Sequence, residues 1–170
     1  MNKLFFLIGA SGSGKTTIIK IIEKKKLDNL QICYFDSVGV PSTEEMIKNY
    51  GSAEEWQKVK TIEWTQKIKK NFLSAKTVVL DGQTRPSFIE KACKENNVIN
   101  YEIILFDCSD DIRKSRLTAR GHPELADDRM MNWAKHLRED CDLRRIKIID
   151  TSNLPIDECA SELIGIVGRN

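Results

Sequence analysis

The sequence has few of the residues that build metal centres or disulfide frameworks. It contains two histidines and five cysteines, and the cysteines are odd in number, widely spaced and never arranged as C-x-x-C. We therefore expect reduced, mostly buried thiols and a cytoplasmic location. Neither His122 nor His136 has a cysteine or histidine at the spacing of a metal ligand set, so no metal site is predicted on them.

Long apolar runs, charge of one sign and flexible linkers are also missing. No stretch reaches the ~18 apolar residues that cross a bilayer, so the sequence predicts no membrane contact. Lysine plus arginine exceed aspartate plus glutamate by 27 to 25, a balance that permits nucleic acid as a partner without indicating it. Without repeats or Pro/Gly-rich linkers, the 170 residues suit one domain, and nothing indicates the oligomeric state.

Short apolar runs alternate with longer helix-like segments along the whole sequence, as in a parallel sheet covered by helices on both faces. The predicted strands are residues 4–8, 32–35, 77–80, 103–106 and 146–149. The predicted helices are residues 15–26, 53–75, 87–96, 110–120, 129–140 and 156–167. The first apolar run superficially resembles a signal peptide, but the glycine-rich turn and helix after it favour a buried strand.

One predicted helix carries a regular apolar stripe. Trp56, Trp64, Ile68 and Phe72 are separated by multiples of four residues, which places them on one helical face. Two tryptophans on such a stripe could stack a nucleobase, but packing against the rest of the protein explains the same spacing. We favour packing.

Acidic residues follow four of the predicted strands. These residues are Asp36, Asp81, Asp107 and Asp150. Ligands of open α/β sheets bind beyond the carboxyl ends of the strands, so we expect these carboxylates to line one rim of the sheet.

Residues 9–16 read G-A-S-G-S-G-K-T and satisfy the phosphate-loop pattern G-x-x-x-x-G-K-[ST], between a strand and a helix as that pattern requires. Glycines let backbone N–H groups turn towards phosphate oxygens, and the following helix adds the positive end of its dipole. Lys15 then brings a charge to the β- and γ-phosphates, and the Thr16 hydroxyl is placed to ligate Mg²⁺. The predicted ATP-binding residues here are Gly9, Ala10, Ser11, Gly12, Ser13, Gly14, Lys15, Thr16 and Thr17.

The loop occurs together with a V-V-L-D-G-Q-T-R segment at residues 78–85 and an arginine-spaced helix late in the sequence. In this combination the chain resembles the P-loop kinases of the nucleoside monophosphate kinase fold, including shikimate and gluconate kinases. The resemblance implies an α/β three-layer P-loop NTP hydrolase fold, with a five-stranded parallel sheet of order 2-3-1-4-5. It also implies one domain over residues 1–170, an acceptor-side helical segment over about 37–75 and a short lid over about 113–138.

The same resemblance assigns roles to three residues near the predicted strand ends. Asp81 would hold Mg²⁺ through water, and Arg85 would grip the acceptor or the transferred phosphate, as in the D-G-x-x-R stretch of adenylate-kinase-like enzymes. Asp36 lies where kinases of this fold that act on hydroxyl groups place an acceptor-binding carboxylate, and a hydroxyl nucleophile needs its proton accepted. Asp36 could instead cap the following turn.

Arg113, Arg116 and Arg120 are spaced i, i+3, i+7 and share a helical face. Arg116 and Arg120 form an R-x-x-x-R pair that resembles the family's arginine-bearing lid, which closes over ATP and neutralises the transferring phosphoryl group. For Arg113 we favour a solvated position with local salt bridges, and Arg129 and Arg138 are weaker candidates for function. Residues 150–153 follow the fifth strand, where Ser152 and Asn153 would lie along the adenine ring.

These features predict an ATP- and Mg²⁺-dependent kinase that phosphorylates a hydroxyl of a small-molecule or nucleotide-like acceptor. Two alternatives stay open. One is a nucleoside monophosphate kinase in which Arg85 holds the acceptor phosphate and Asp36 is structural. The other is a nucleotide-binding regulatory module with little turnover.

Overall fold

The computed structural model describes residues 2–168, and within them a five-stranded parallel sheet has the order β2-β3-β1-β4-β5 with helices on both faces. The strands are β1 (Leu4–Ile8), β2 (Leu30–Tyr34), β3 (Thr77–Asp81), β4 (Tyr101–Asp107) and β5 (Lys147–Asp150). The α-helices are α1 (Lys15–Lys24), α2 (Thr43–Tyr50), α3 (Ala53–Asn71), α4 (Pro86–Glu95), α5 (Asp110–Ala119), α6 (Asp128–Leu143) and α7 (Ile156–Val167). The predicted fold class and strand order are confirmed.

The predicted end of β2, with Asp36 directly after the strand, is wrong. β2 ends at Tyr34, and a 3₁₀ helix follows at Phe35–Val38, so Asp36 lies in that helix and not at the end of the strand. The turn is closed locally, because the Gly39 N–H donates to the Asp36 carbonyl and the Ser37 hydroxyl donates to the Tyr34 carbonyl. The apolar run up to Phe35 contains no signal for this change of backbone direction.

The described residues divide into two compact units. The first unit contains the chain up to Phe6 together with Asn29–Glu102, and the second contains Leu7–Asp28 together with the chain from Ile103 onward. The first unit therefore holds β2, β3 and α2 to α4. The second holds the glycine-rich loop, β4, β5, α1 and α5 to α7.

In the first unit, β2 and β3 pair in parallel so that Tyr34 lies opposite Asp81. α3 packs Trp56, Trp64 and Ile68 of the predicted stripe inwards, and the burial of these three side chains confirms packing as the reason for their spacing. Phe72, the fourth predicted member, follows the end of α3 and is half-buried. The Trp64 indole N–H donates to the Phe35 carbonyl over 3.1 Å, and the Trp56 ring meets the Phe35 ring edge-on at 5.9 Å. The stripe thereby fixes the backbone immediately before Asp36.

In the second unit, β4 and β5 pair in parallel so that Asp107 lies opposite Asp150. α5 and α6 are joined by the segment 120–127, which contains a short 3₁₀ helix at Pro123–Leu125. Each of these helices begins with a side-chain cap: the Ser109 hydroxyl accepts from the Ile112 N–H, and the Asp127 carboxylate accepts from the Met130 N–H. The predicted short lid corresponds to this helix–loop–helix segment.

All five cysteines are buried free thiols, as the sequence predicts. Over residues 2–168, no helix combines the length and the apolar character needed to span a membrane.

Candidate functional site

The glycine-rich loop connects the end of β1 to the start of α1 and packs tightly on α5. Gly12 has φ of +84°, and a Cβ added there would lie 2.9 Å from Cγ of Arg113 and 3.2 Å from Cγ of Leu117. A side chain at this position would therefore meet both an unfavourable backbone conformation and a steric clash. Gly12 lets the loop lie directly against the helix.

The start of α1 is suited to an anion. Gly14 precedes the helix with φ of +84°, the first turn contains no acidic residue, and no described side chain caps it. The backbone N–H groups of the first turn, together with the helix dipole, therefore favour a negatively charged ligand. Lys15 is half-buried at the first position of the helix, while Thr16 and Thr17 are exposed beside it.

This loop fits a Mg²⁺–nucleotide complex. The described residues contain no group of three or more histidine, cysteine, aspartate or glutamate side chains able to hold a metal alone. Mg²⁺ in phosphate-transfer sites needs no such cage, because it takes one or two protein oxygens and completes its coordination with phosphates and water. A hydroxyl at Thr16 and a single carboxylate are the donor set that such a complex requires.

Arg113 is completely buried, so its predicted solvated position is wrong. One terminal nitrogen of the guanidinium donates to the carbonyls of Ala10 (3.3 Å) and Ser11 (2.8 Å), and the other donates to Oδ1 of Asp107 (2.6 Å). The i, i+3, i+7 spacing correctly placed Arg113 beside Arg116, but spacing does not say which part of a shared face is covered. The nearly buried carboxylate of Asp107 pairs with this charge and offsets part of the free-energy cost of burying it.

Arg116 also contacts the loop. It donates to the Gly12 carbonyl over 3.3 Å, and to the hydroxyl and carbonyl of Thr151 over 2.9 and 2.6 Å. Its guanidinium therefore joins the glycine-rich loop to the segment that follows β5. Arg120 differs, because it is exposed at the carboxyl end of α5.

The segment after β5 is fixed at three points. The Thr151 N–H donates to the Asp107 carbonyl, and the Thr151 hydroxyl donates to the Ser13 carbonyl over 2.7 Å. The Ser152 hydroxyl accepts a hydrogen bond from the Ser109 N–H, and the Ser152 N–H donates to Asp150. Hydrogen bonding by the Ser152 side chain, and secondly by its backbone N–H, lowers the pKa of the Asp150 carboxyl. Asn153 is exposed.

A cleft of about 500 Å³ lies next to this segment in the second unit. The residues lining it include Asp107, Asp110, Arg138, Asp142, Asp150 and Ser152. Its carboxylates are poor partners for phosphate but accept hydrogen bonds from amino and hydroxyl groups. Arg138 contacts Asp107 here, and that contact raises the pKa of the Arg138 guanidinium.

The first unit carries the other predicted site residues. Asp36 is exposed on the 3₁₀ helix, Asp81 is nearly buried as the last residue of β3, and Arg85 is the residue before α4. The Arg85 guanidinium lies 3.6 Å from Glu54 and 5.8 Å above the Phe88 ring centroid. The backbone at Gly82 packs closely against the side chain of Phe35, the residue before Asp36. A Cβ on Gly82 would lie only 2.8 Å from Cβ of Phe35, so this contact requires glycine.

The sequence interpretation missed Asp107 as an ion-pair centre and Thr151 as a link to the glycine-rich loop. An aspartate at the end of a buried strand was the available signal for Asp107, but its arginine partners come from two different helices. Thr151 carries no local signal, because its contacts are with residues far away in the sequence.

Similar solved structures are kinases and a resistance protein of low sequence identity. A gluconokinase from Sinorhizobium meliloti 1021 is 18% identical with a TM-score of 0.63, and the match covers 98% of this chain and 92% of the other. A thymidylate kinase from Candida albicans is 17% identical with a TM-score of 0.66, covering 98% and 91%. A tunicamycin resistance protein from Deinococcus radiodurans is 15% identical with a TM-score of 0.71, covering 100% and 98%.

At these identities the likeness establishes the fold, which is that of the nucleoside monophosphate kinase-like P-loop kinases. No curated protein matches the sequence. A family model described as "AAA domain" matches residues 6–132, from β1 through the glycine-rich loop and α5 into α6. This match spans most of the 170 residues, and the chain therefore belongs to the AAA domain family of that model.

Proposed function

We propose that this protein is an ATP-dependent kinase that transfers the γ-phosphoryl group to a hydroxyl of a small-molecule or nucleotide-like acceptor. The observation that carries the proposal is the glycine-rich loop on an uncapped helix start, with Lys15 at its first position. Two arginines of α5 and Thr151 contact the carbonyls of this loop. Such a loop presents amide N–H groups to phosphate oxygens.

Phosphoryl transfer depends mainly on positioning and on neutralising charge at the transferring group. Lys15 would contact the β- and γ-phosphates from the start of α1. Arg120, exposed at the end of α5, would bring its charge to the phosphoryl group when the segment 120–127 covers it. Arg116 would stabilise the bound nucleotide, and its contacts to Gly12 and Thr151 support a role at the junction of phosphate and nucleoside.

Thr16 and Asp81 are the residues that would hold Mg²⁺, the first through its hydroxyl and the second through water. Mg²⁺ bound to ATP neutralises part of the phosphate charge during transfer. The carboxylate-lined cleft beside Ser152 and Asn153 would take the nucleoside end, whose amino and hydroxyl groups suit carboxylate acceptors. The five buried free thiols agree with the proposed cytoplasmic location.

Asp36 would accept the proton of the attacking hydroxyl. It is exposed, so an acceptor can reach it, and the backbone before it is fixed by the Trp64 hydrogen bond to Phe35. A group that removes a proton during attack needs such access and such a defined position. The similar structure named as a gluconokinase supports an acceptor of this type.

A nucleoside monophosphate kinase is the second candidate, and the position of Arg85 favours it. Arg85 directly precedes α4, so its guanidinium and the amino end of that helix could bind an acceptor phosphate together. In this case Asp36 has a structural role only. The neighbour named as a thymidylate kinase supports this acceptor class.

Transfer from labelled ATP to a panel of acceptors tests the proposal. The panel contains sugars, nucleosides, nucleoside monophosphates, aminoglycosides and 5′-hydroxyl oligonucleotides. Lys15→Ala should abolish transfer, whereas Lys20→Ala, which removes an exposed lysine of the same helix, should leave it unchanged. Labelling of monophosphates alone would favour the second candidate, and ATP binding without transfer to any acceptor would indicate a regulatory nucleotide-binding module.

A further inference from the structure

Four successive carbonyls of the glycine-rich loop accept hydrogen bonds from residues outside it. Arg113 donates to the carbonyls of Ala10 and Ser11, Arg116 donates to Gly12, and the Thr151 hydroxyl donates to Ser13. We call Arg113, Arg116 and Thr151 the outer clamp. The chain places these three residues more than a hundred positions away from the loop in every case.

The outer clamp fixes the direction of amide N–H groups. In a trans peptide the carbonyl and the N–H of the next residue point in opposite directions. A carbonyl held towards the clamp therefore turns the following N–H away from it. By this geometry the N–H groups of Ser11, Gly12 and Gly14 are directed away from Arg113, Arg116 and Thr151, where an anion could accept from them. The Ser13 N–H is used within the loop, where it donates to the Ala10 carbonyl.

Arg113 donates to two carbonyls of the loop, whereas Arg116 and Thr151 donate to one each. It is completely buried and contacts two adjacent carbonyls, and its Nε has no hydrogen-bond partner among the described residues. Among the described residues, the side chain of Arg113 donates only through its two terminal nitrogens, one to the loop carbonyls and the other to Asp107 and the Cys108 carbonyl. Burial of a charged side chain costs free energy. A buried arginine that donates to backbone carbonyls therefore needs an explanation beyond packing.

Asp107 has a second cation that provides a natural comparison. Arg138 of α6 contacts the other carboxylate oxygen of Asp107 and also donates to the Cys108 carbonyl. Among the described residues, Arg138 donates to Asp107 and Cys108 but not to the glycine-rich loop. The two arginines therefore share one carboxylate but differ in whether they reach the loop.

We propose that Arg113 is a positioning residue for phosphate binding, which holds the Ala10 and Ser11 carbonyls so that the loop presents its N–H groups before the nucleotide arrives. Asp107 aligns Arg113 and balances its charge. This inference rests on the proposed function, because it requires that the loop binds a polyphosphate. It adds a residue that does not touch the phosphates itself.

Binding of Mg²⁺–tripolyphosphate, followed by calorimetry, isolates the loop because this probe has no base or sugar. Arg113→Met keeps side-chain length but removes the donors, and should weaken binding by about tenfold or more, the effect of losing charge-assisted hydrogen bonds. Arg113→Lys keeps the charge but replaces the guanidinium, whose two terminal nitrogens contact the loop and Asp107, by a single amino group. This variant should weaken tripolyphosphate binding by a few-fold. Arg138→Met removes the other cation of Asp107. Arg138 lines the cleft proposed for the nucleoside, which tripolyphosphate lacks, so this variant should change the tripolyphosphate affinity by less than about threefold.

Hydrogen exchange of residues 9–16 without ligand is the second measurement, and it should be faster in Arg113→Met but unchanged in Arg138→Met. Equal losses of tripolyphosphate affinity in these two variants, or wild-type affinity in both folded Arg113 variants, would overturn the inference. If Arg113→Met does not fold, wild-type affinity in Arg113→Lys overturns it. Absence of both ATP and tripolyphosphate binding in the wild-type protein would instead reject the proposed function, and this inference with it.

Discussion

The hydroxyl of Thr151 donates a hydrogen bond to the carbonyl of Ser13 over 2.7 Å, and so ties the segment after β5 to the glycine-rich loop. The same hydroxyl accepts from Arg116, and the Thr151 N–H donates to the Asp107 carbonyl. Thr151 is buried and belongs to neither the loop nor α5. One small side chain therefore connects the part of the site predicted to bind the base with the part predicted to bind phosphate.

Thr151→Val should weaken this connection without changing the volume of the side chain. The Ser13 carbonyl and the Arg116 guanidinium each lose a partner, so we expect the free energy of unfolding to fall by about 1–3 kcal/mol. ATP affinity should fall as well, because the loop is less well held before binding. Urea denaturation measures the first effect and calorimetry with Mg²⁺–ATP the second.

Thr118→Val is the matched control, since it makes the same change at an exposed position of α5. It should alter the free energy of unfolding by no more than about 0.5 kcal/mol and leave ATP affinity unchanged. Equal ATP affinity in Thr151→Val and Thr118→Val would argue against a role of Thr151 in nucleotide binding.

The sequence predicted the features that depend on local pattern. The glycine-rich loop and the buried tryptophan stripe of α3 follow from residues close together in the chain, whereas the strand order was available only through the family resemblance. What could not be predicted depends on which side of a helix is covered. Arg113 illustrates this, because its spacing matches that of Arg116 and Arg120, yet Arg113 is buried and Arg120 is exposed.

The boundaries of helices and strands were also only partly predictable from the sequence. α3 ends at Asn71, four residues before the predicted end, and Asp36 lies in a 3₁₀ helix although the apolar run suggested a continuous strand. The cause of the second difference is tertiary, because the Trp64 hydrogen bond to the Phe35 carbonyl comes from another element. Propensity at Phe35 alone contains no trace of that partner.

Gly82→Ala should disturb the acceptor side of the site. The added Cβ would lie 2.8 Å from Cβ of Phe35, which belongs to the rigid base of that side chain, so the backbone beside Asp36 must shift. We expect a loss of about 1–3 kcal/mol in the free energy of unfolding and a higher KM for the acceptor, with the KM for ATP nearly unchanged. Steady-state kinetics with each substrate varied in turn measures the difference.

Gly165→Ala is the control for this substitution, because a Cβ there meets nothing within 4 Å and the residue lies inside α7. Alanine in a helix interior should raise the free energy of unfolding by about 0.5–1 kcal/mol and leave both KM values unchanged. A rise in the two KM values of Gly82→Ala by the same factor would show that the effect is not specific to the acceptor.

Asp36→Asn separates the two candidate acceptor classes. If Asp36 accepts the proton of a hydroxyl nucleophile, kcat should fall by ~10²–10⁴ while the KM for ATP stays the same, because an amide cannot take up that proton. Asp28→Asn, at another exposed aspartate, should leave kcat unchanged. A wild-type kcat in Asp36→Asn would favour the acceptor that is already anionic, and then Arg85→Met should raise the acceptor KM.

The buried thiols predict how stability depends on pH. Burial raises the pKa of Cys93 and of Cys141 to about 12, from an ordinary value of 9.0. As the pH rises through 9, the unfolded chain therefore loses thiol protons that the folded protein retains. The free energy of unfolding contributed by these groups is fully present below pH 9 and is lost as the pH rises from about 9 towards 12.

Urea denaturation of the wild-type protein at about pH 8 and pH 10 should thus show a fall in stability, to which the raised pKa values of Lys60, of Tyr101 and of the other three thiols also contribute. The double variant Cys93→Ala/Cys141→Ala removes the contribution of these two thiols, so its stability should fall less over the same interval, whatever its starting value. The difference between the pH dependence of the unfolding free energy in the wild type and in the double variant measures the effect of burying these two thiols. Parallel slopes would mean that both thiols ionise as readily in the fold as in the unfolded chain, against their complete burial.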